Sequence, residues 1–174
     1  IPVHPQLNNV YIFGDSFASQ AELAGSGAFY NNNSAHVLQG ELAKLGIGAN
    51  VSIDGTSGSA VVDSSGNTLA TPLPGMFANR PSAVIMLAGT NDAGTASLDA
   101  AFDTDYKDHI TTILGTAGVN FIIVQTVPTT KMDSDKDGAG YVANVAEANT
   151  IINAFPEWWD TNNPTDTGRV VVAD

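Results

Sequence analysis

Two polar residues of the chain stand directly after apolar runs, where their side chains could take part in acyl transfer. Ser16 follows residues 10–13 through a Gly-Asp turn. Asn91 follows residues 83–88 through a Gly-Thr pair. A serine hydroxyl can attack an acyl carbon, and an asparagine amide can stabilise the negative charge that develops on the attacked carbonyl oxygen. Each apolar run predicts a short buried strand, so both side chains are expected at the carboxyl edge of one sheet, where open α/β sheets bind ligands.

Alternating strand and helix patterns run along the chain and predict an α/β fold. Short apolar runs predict five strands, at residues 10–14, 49–53, 83–88, 119–124 and 169–173. Apolar residues at helical spacing predict three helices, at residues 34–45, 97–114 and 140–155. This order predicts a parallel sheet with helices on both faces. The segments that follow strands are expected at the ligand-binding edge, namely residues 15–33, 54–80, 89–97 and 125–139.

Three sequence blocks resemble those of the GDSL-type lipases and esterases, also called the SGNH hydrolases. Gly14-Asp15-Ser16 matches the first block, Thr56-Ser57-Gly58-Ser59 resembles the second, and Gly89-Thr90-Asn91-Asp92 matches the third. The resemblance implies a flavodoxin-like three-layer α/β/α sandwich with a five-stranded parallel sheet. It also implies that Ser16 is the nucleophile and that the Gly58 N–H and the Asn91 side chain are donors to the oxyanion. No cofactor is required for this chemistry.

The family's catalytic base, a histidine in an Asp-x-x-His block after the fifth strand, has no match in these 174 residues. The three histidines, His4, His36 and His109, each lack an aspartate three positions earlier. His4 lies in the predicted N-terminal tail 1–9, and the other two lie on predicted helices, where surface or packing roles are expected. We therefore predict one domain, residues 10–174, that is truncated after its fifth strand. The base would then come from a further segment or from another polypeptide.

The chain is acidic, with a net charge of −12 from 18 acidic and 6 basic residues. Such a surface repels polyanions, so nucleic acids and anionic membranes are not expected as partners. No apolar run approaches the roughly 20 residues that a transmembrane helix needs. Cysteine is absent, which excludes disulfides and thiolate metal sites. Many small polar residues with few lysines are typical of secreted bacterial enzymes, so a secreted or extracellular location is predicted.

An acidic segment resembles the first half of a calcium-binding loop. Asp133, Asp135 and Asp137 stand at alternate positions and are followed by Gly138. The twelfth position of such a loop, normally a bidentate glutamate, is Asn144 here, so an acidic turn before a helix is the alternative. A bound calcium would stabilise a loop at the active-site edge and would take no part in the chemistry.

Trp158 and Trp159 form a large apolar pair just before the fifth predicted strand. Segments that precede parallel strands lie at the edge opposite to the ligand site. We therefore expect this pair to pack against the fold rather than to form a platform for sugar stacking.

Two functional hypotheses follow from the blocks and from the absent base. The first is a serine esterase, a carboxylic ester hydrolase that acts on acyl esters of lipids or on O-acetylated carbohydrates. The second is an inactive SGNH-like binding or structural module of a larger assembly, which the absence of Asp-x-x-His favours. A different doubly wound fold would need a phosphate-binding loop after the first strand, and Phe17-Ala18-Ser19-Gln20 offers no glycine for one.

Overall fold

The computed structural model describes residues 7–15, 34–55, 59–62, 69, 78, 80–95, 97–128 and 139–174. The strands in these ranges are β1 (Asn9–Gly14), β2 (Asn50–Gly55), β3 (Ala83–Leu87), β4 (Phe121–Gln125) and β5 (Val170–Ala173). The helices are α1 (Ser34–Lys44), α2 (Thr90–Ala93), α3 (Phe102–Leu114), α4 (Ala139–Asn153) and α5 (Phe155–Asn162). Each strand coincides with one of the predicted apolar runs, and only its ends shift by a residue or two.

The five strands form one parallel sheet in the order β2-β1-β3-β4-β5. The chain passes from β1 to its neighbour on one side, β2, and then crosses to the other side of β1 to form β3. Gly14 pairs with Gly55 of β2 and with Leu87 of β3, so the carboxyl ends of these three strands lie side by side. In open α/β sheets, such a reversal of strand order creates a crevice that binds ligands. The predicted parallel sheet is confirmed.

Helices cover both faces of the sheet, which gives three layers. On one face, α3, α4 and α5 pack over alternate strand residues such as Phe13 and Val124. There the ring of Tyr106 contacts those of Phe102 and Phe155. On the other face, α1 packs over the intervening residues of β1. None of the helices in the described ranges is long and apolar enough to cross a membrane.

The helix predicted at residues 97–114 begins later, at Phe102. Asp99 explains the later start of the helix, because its side chain and its carbonyl both accept hydrogen bonds from backbone N–H groups where the helix begins. Its Oδ1 accepts the Ala101 N–H at 2.8 Å, and its carbonyl accepts the Phe102 N–H at 3.0 Å. Aspartate often favours such local turns over helix, which helical spacing of apolar residues does not reveal.

The helix predicted at residues 140–155 is divided into two helices. The first, α4, ends at Asn153, and α5 begins at Phe155. Pro156 lies in the first turn of α5. Proline has no N–H to donate to the carbonyl of Ile152, so it cannot continue α4, whereas it is well suited to the first turn of a new helix.

The tryptophan pair lies on α5 and packs as predicted. Trp159 is only 5% exposed, and its Nε1 donates to the Asp166 carbonyl at 2.8 Å. Trp158 packs against the same apolar core, and its ring lies 5.3 Å from the Lys107 ammonium group. Both rings therefore stabilise the docking of α5 on the sheet.

Gly14 allows β1 and β3 to approach each other at their carboxyl ends. A Cβ atom at this position would lie 1.9 Å from the Leu87 carbonyl oxygen, a backbone atom that cannot rotate away. We therefore expect Gly14→Ala to force the two strands apart and to lower the free energy of unfolding by about 3 kcal/mol, the upper part of the usual range for overpacking. Urea unfolding followed by circular dichroism measures this loss.

Gly40→Ala is the matched control, because Gly40 lies on α1 and no described residue outside the backbone of α1 is within 4 Å of the added Cβ. Alanine at this helical position is expected to raise the free energy of unfolding by about 0.5–1 kcal/mol. A Gly14→Ala protein as stable as the wild type would contradict the close approach of β1 and β3.

Tyr11 ties β1 to β2 through a bond that depends on pH. Its hydroxyl donates to Asp54 Oδ2 at 3.2 Å, and burial, followed by the negative charge of Asp54, raises the pKa of Tyr11 to about 12. The folded-state pKa exceeds the value of about 10 for an unfolded chain. Tyr11 therefore contributes stability that is complete below about pH 10 and is lost as the pH rises through about 12.

Tyr11→Phe removes this titration. We expect its free energy of unfolding to fall less steeply than that of the wild type between about pH 10 and about pH 12. Urea unfolding at a series of alkaline pH values measures both slopes. Curves that stay parallel over this interval would show that Tyr11 titrates alike in the folded and unfolded states.

Candidate active site

The chain remains bound to β3 just beyond the end of β1. Asp15, the residue before Ser16, donates its backbone N–H to the Leu87 carbonyl at 3.0 Å, and its side chain is fully buried. This contact fixes the backbone one residue before the predicted nucleophile. Ser16 itself lies outside the described residues, so its role stays a prediction.

A left-handed glycine turns the chain sharply after β3. Gly89 has a φ of +109°, and an added Cβ would lie 3.0 Å from Val127 Cγ2 and 3.2 Å from Phe102 Cζ. Glycine adopts this conformation without strain, whereas the Cβ of any other residue would be crowded by these side chains. The single turn α2 follows at once, and Ala93 donates its N–H to the Gly89 carbonyl at 3.0 Å. The third sequence block thus forms a compact turn at the carboxyl edge of the sheet.

The Asn91 side chain of α2 reaches the segment that contains the second block. Its Nδ2 donates to the Ser59 carbonyl at 2.8 Å. Ser59 directly follows Gly58, which lies outside the described residues. The fold therefore brings Asn91 to the residue next to the other predicted oxyanion donor. Because a carbonyl only accepts hydrogen bonds, the contact also fixes which end of the amide faces Ser59.

Asp92 holds the same segment from the next position of α2. Its Oδ2 accepts the Val61 N–H and its Oδ1 accepts the Val62 N–H, both at 3.0 Å. The side chain is only 4% exposed. Burial raises the pKa of Asp92 above its usual value, and the bonds from Val61 and Val62 oppose that shift. Sequence reasoning gave Asp92 no role, although its place beside Asn91 in the third block was a signal.

Asn144 of α4 anchors α2 from the opposite side. Its buried Nδ2 donates to the carbonyls of Ala93 at 3.1 Å and Thr95 at 2.8 Å, the carbonyl groups at the end of this turn. Asn149, farther along α4, similarly pairs with both backbone groups of Val127, at 2.7 Å and 2.9 Å. Sequence reasoning missed both contacts. The two asparagines lock α4 to the segments that follow β3 and β4.

The predicted calcium ligands Asp133, Asp135 and Asp137 lie outside the described residues, so calcium binding stays a prediction. Asn144, the twelfth position of that pattern, faces backbone carbonyls rather than a loop. In the part of the chain that the structure describes, no group of three or more histidine or acidic side chains is placed to hold a metal ion.

Tyr106 of α3 is fully buried near two acidic side chains of the site. Burial, followed by the charges of Asp15 and then Asp92, raises the pKa of its hydroxyl far above the usual value. Within the described residues, no group forms a hydrogen bond with this hydroxyl. Tyr106 therefore stays protonated throughout the physiological pH range and adds no charge of its own.

His109 is half-buried on α3, and its Nε2 lies 3.4 Å from the Val61 carbonyl. Burial lowers the pKa of His109, and the bond to Val61 and the charges of nearby aspartates oppose the shift. Of the other histidines, His36 lies on α1 and His4 lies outside the described ranges. The expected packing role of His109 is thus observed, at a position that also touches the 59–62 segment.

A cavity of about 220 Å³ opens beside α2, at the carboxyl ends of β3 and β4. Four of its lining residues are apolar and three are polar: Leu87, Ala88, Val127 and Pro128, and Thr90, Gln125 and Thr126. The edge predicted to bind ligands therefore contains a small pocket that is lined in part by Thr90, the residue before Asn91.

Sequence comparison identifies no relative, since no protein-family model and no curated protein matches the chain. Solved structures, by contrast, match nearly all of it. AlinE4, an SGNH-hydrolase family esterase, has a TM-score of 0.66 at 17% identity, over 98% of this chain and 77% of that chain. The chain has the fold of the SGNH hydrolases. The prediction from the three sequence blocks is confirmed at this level.

Two further structures with this fold carry carbohydrate esterase names. A carbohydrate acetylesterase family member from Sinorhizobium meliloti has a TM-score of 0.65 at 17% identity, over 95% of this chain and 83% of that chain. A catalytic mutant of Axe2, an acetylxylan esterase from Geobacillus stearothermophilus, has a TM-score of 0.66 at 16% identity, over 96% and 75%. At such identities the shared feature is the SGNH fold.

Proposed function

We propose that this SGNH-fold chain is a carboxylic ester hydrolase in which Ser16 attacks the acyl carbon. The observation that carries the proposal is the 2.8 Å contact between Asn91 Nδ2 and the Ser59 carbonyl. It brings an amide donor to the residue that follows Gly58 in sequence, at the sheet edge where β1 ends two residues before Ser16. In the proposed site, the three blocks, which are far apart in sequence, act together.

The proposed reaction begins with a proton transfer from the Ser16 hydroxyl to a base as its Oγ bonds to the acyl carbon. The carbonyl oxygen becomes an oxyanion, and the backbone N–H groups of Ser16 and Gly58, with the second N–H of the Asn91 amide, stabilise it. Collapse of this intermediate breaks the bond to the alcohol, which leaves with the proton. Water then hydrolyses the acyl-enzyme by the same steps and restores Ser16.

We propose that the base is a histidine outside these 174 residues, on a further segment or another polypeptide. His109 is a poor candidate for this role. Its helix, α3, begins at Phe102, which packs near Gly89 at the carboxyl edge of the sheet. The helix ends at Leu114, whose carbonyl accepts from Arg169, the residue just before β5 at the opposite edge. His109 lies about 10 Å along α3 from Phe102, toward that opposite edge.

The proposed substrates are acyl esters of lipids or of O-acetylated carbohydrates. The small pocket at the carboxyl ends of β3 and β4, which has several apolar lining residues, favours short acyl groups. Two neighbours in fold are named as acetyl esterases of carbohydrates, which is in line with this choice. The net charge of −12 disfavours polyanionic substrates, and we propose a secreted enzyme from the residue composition.

The test is the intact mass of the native protein, measured together with its turnover of p-nitrophenyl acetate. We expect a mass well above 18.0 kDa and turnover that depends on Ser16, because the base is supplied from outside this sequence. A mass equal to that of this sequence, with turnover that Ser16 does not affect, would instead favour the inactive SGNH-like binding or structural module.

A further inference from the structure

We propose that Asp92 is a positioning residue, whose carboxylate fixes the 59–62 segment so that the Asn91 amide is aimed at the oxyanion. This inference rests on the proposed function. In it, a neighbouring buried acid determines the orientation of one oxyanion donor. Asp92 itself does not touch the substrate in this arrangement. It acts through the backbone of residues 61 and 62 and through the Ser59 carbonyl.

The aim of the Asn91 amide depends on where the Ser59 carbonyl lies. One N–H of Nδ2 donates to that carbonyl at 2.8 Å, which leaves the other N–H for the oxyanion. Asn91 is half-buried and its side chain has two rotatable bonds, so the contact that the described residues give its amide sets the amide orientation. If the Ser59 carbonyl moves, the free N–H moves with it.

Asp92 holds the 59–62 segment through two hydrogen bonds. Both carboxylate oxygens are engaged, one by Val61 N–H and one by Val62 N–H, each at 3.0 Å. The other described bonds of residues 60 and 61 are longer: Leu69 N–H reaches the Ala60 carbonyl at 3.3 Å, and His109 Nε2 lies 3.4 Å from the Val61 carbonyl. Hydrogen bonds to a charged acceptor are also the stronger kind.

Asp92 can act as an anchor because α2 is itself fixed. Asn144 binds the carbonyls of Ala93 and Thr95, and Gly89 is packed against Val127 and Phe102. Asn91 and Asp92 are adjacent on this fixed turn and both bind the same segment. Three hydrogen bonds thus join the third sequence block to the 59–62 segment, whose first residue, Ser59, ends the second block.

The charge of Asp92 argues for a geometric role. A carboxylate close to a forming oxyanion disfavours it by repulsion, so charge stabilisation cannot be the reason for an acid here. What a carboxylate provides is two acceptor oxygens for two adjacent N–H groups. An asparagine at this position has one acceptor oxygen, and its NH₂ group would face a second donor.

The test compares Asp92→Asn with Asp99→Asn in the native full-length protein. Asp99 is an exposed acid whose charge acts on Asp92 but whose side chain accepts a hydrogen bond from Ala101 and not from the 59–62 segment. We expect Asp92→Asn to lower kcat by on the order of 100-fold, as for a misplacement of about 1 Å, with KM changed less than about twofold. Asp99→Asn should leave both constants nearly unchanged. A kcat that rises in Asp92→Asn would overturn the proposal and would indicate that charge repulsion is dominant.

A double-mutant cycle with Asn91→Ala separates positioning from general loss of structure. If Asp92 acts through Asn91, adding Asp92→Asn to Asn91→Ala should lower kcat by less than about threefold. Full additivity of the two losses would overturn the positioning role. Equal circular dichroism spectra of all variants confirm that the fold is retained.

A readout without turnover keeps this proposal distinct from the proposed function. The side-chain NH₂ resonances of Asn91, assigned by their absence in Asn91→Ala, should shift in Asp92→Asn and stay in place in Asp99→Asn. Unshifted resonances would overturn the positioning role alone. Turnover that Ser16→Ala leaves unchanged would overturn the proposed function, and the catalytic meaning of the positioning with it.

Discussion

Replacing Ser16 by alanine is expected to lower the turnover of p-nitrophenyl acetate by on the order of a million-fold, because the nucleophile and its base act as a unit. Without the hydroxyl no acyl-enzyme forms, and the base has no proton to accept. The oxyanion donors remain, so a residual rate of roughly a thousandfold over water is expected. Release of p-nitrophenolate by the native protein and by the variant measures the difference.

Ser97→Ala is the control for this variant, because Ser97 is exposed and its described hydrogen bond, from the Thr95 hydroxyl, is to its backbone carbonyl. Its turnover should equal that of the wild type. A phosphonylating reagent provides a second measurement, since it should label the peptide that contains Ser16 and no peptide of the Ser16→Ala protein. Turnover by Ser16→Ala within about tenfold of the wild type would exclude Ser16 as the nucleophile, since loss of a nucleophile costs far more.

The two central strands, β1 and β3, were predictable because most of their residues are buried between the helical layers. A parallel strand between two helical layers reads as an unbroken apolar run, as at residues 83–87 of β3, and chance rarely produces such a run. The glycine that follows the apolar run of each central strand was predictable too, but the packing that requires a glycine there was not. Gly14 is required by the 1.9 Å approach of Leu87, which lies 73 positions away in the chain.

The contacts that build the site could not be predicted from sequence. Asn91 was identified because it lies in a recognisable block, whereas Asp92 and Asn144 act through backbone groups of distant segments. Nearly every residue has a backbone N–H and a carbonyl, so the residue types in the sequence do not show which backbone groups these side chains bind. The break at Pro156 is a different case, because the proline is visible in the sequence and should have divided the predicted helix.

Replacing Asn91 by alanine is expected to lower kcat by about 10²–10³-fold, which corresponds to about 2.7–4 kcal/mol of lost transition-state stabilisation. The donor acts on the oxyanion and hardly at all on the ground-state carbonyl, so KM should stay nearly constant. The variant also loses the bond to the Ser59 carbonyl, which lowers the free energy of unfolding by about 1 kcal/mol. Steady-state kinetics with p-nitrophenyl acetate measure kcat and KM, and urea unfolding measures the stability.

Two further variants make the Asn91 result specific. Asn153→Ala removes an exposed amide at the end of α4 and should leave kcat unchanged. Asn91→Asp keeps the size of the side chain but presents an acceptor to the Ser59 carbonyl and a negative charge to the oxyanion. It should therefore be slower than Asn91→Ala, because repulsion adds to the loss of the donor. If Asn91→Asp were the faster of the two, the amide would contribute shape rather than hydrogen bonding, and the oxyanion role would pass to another group.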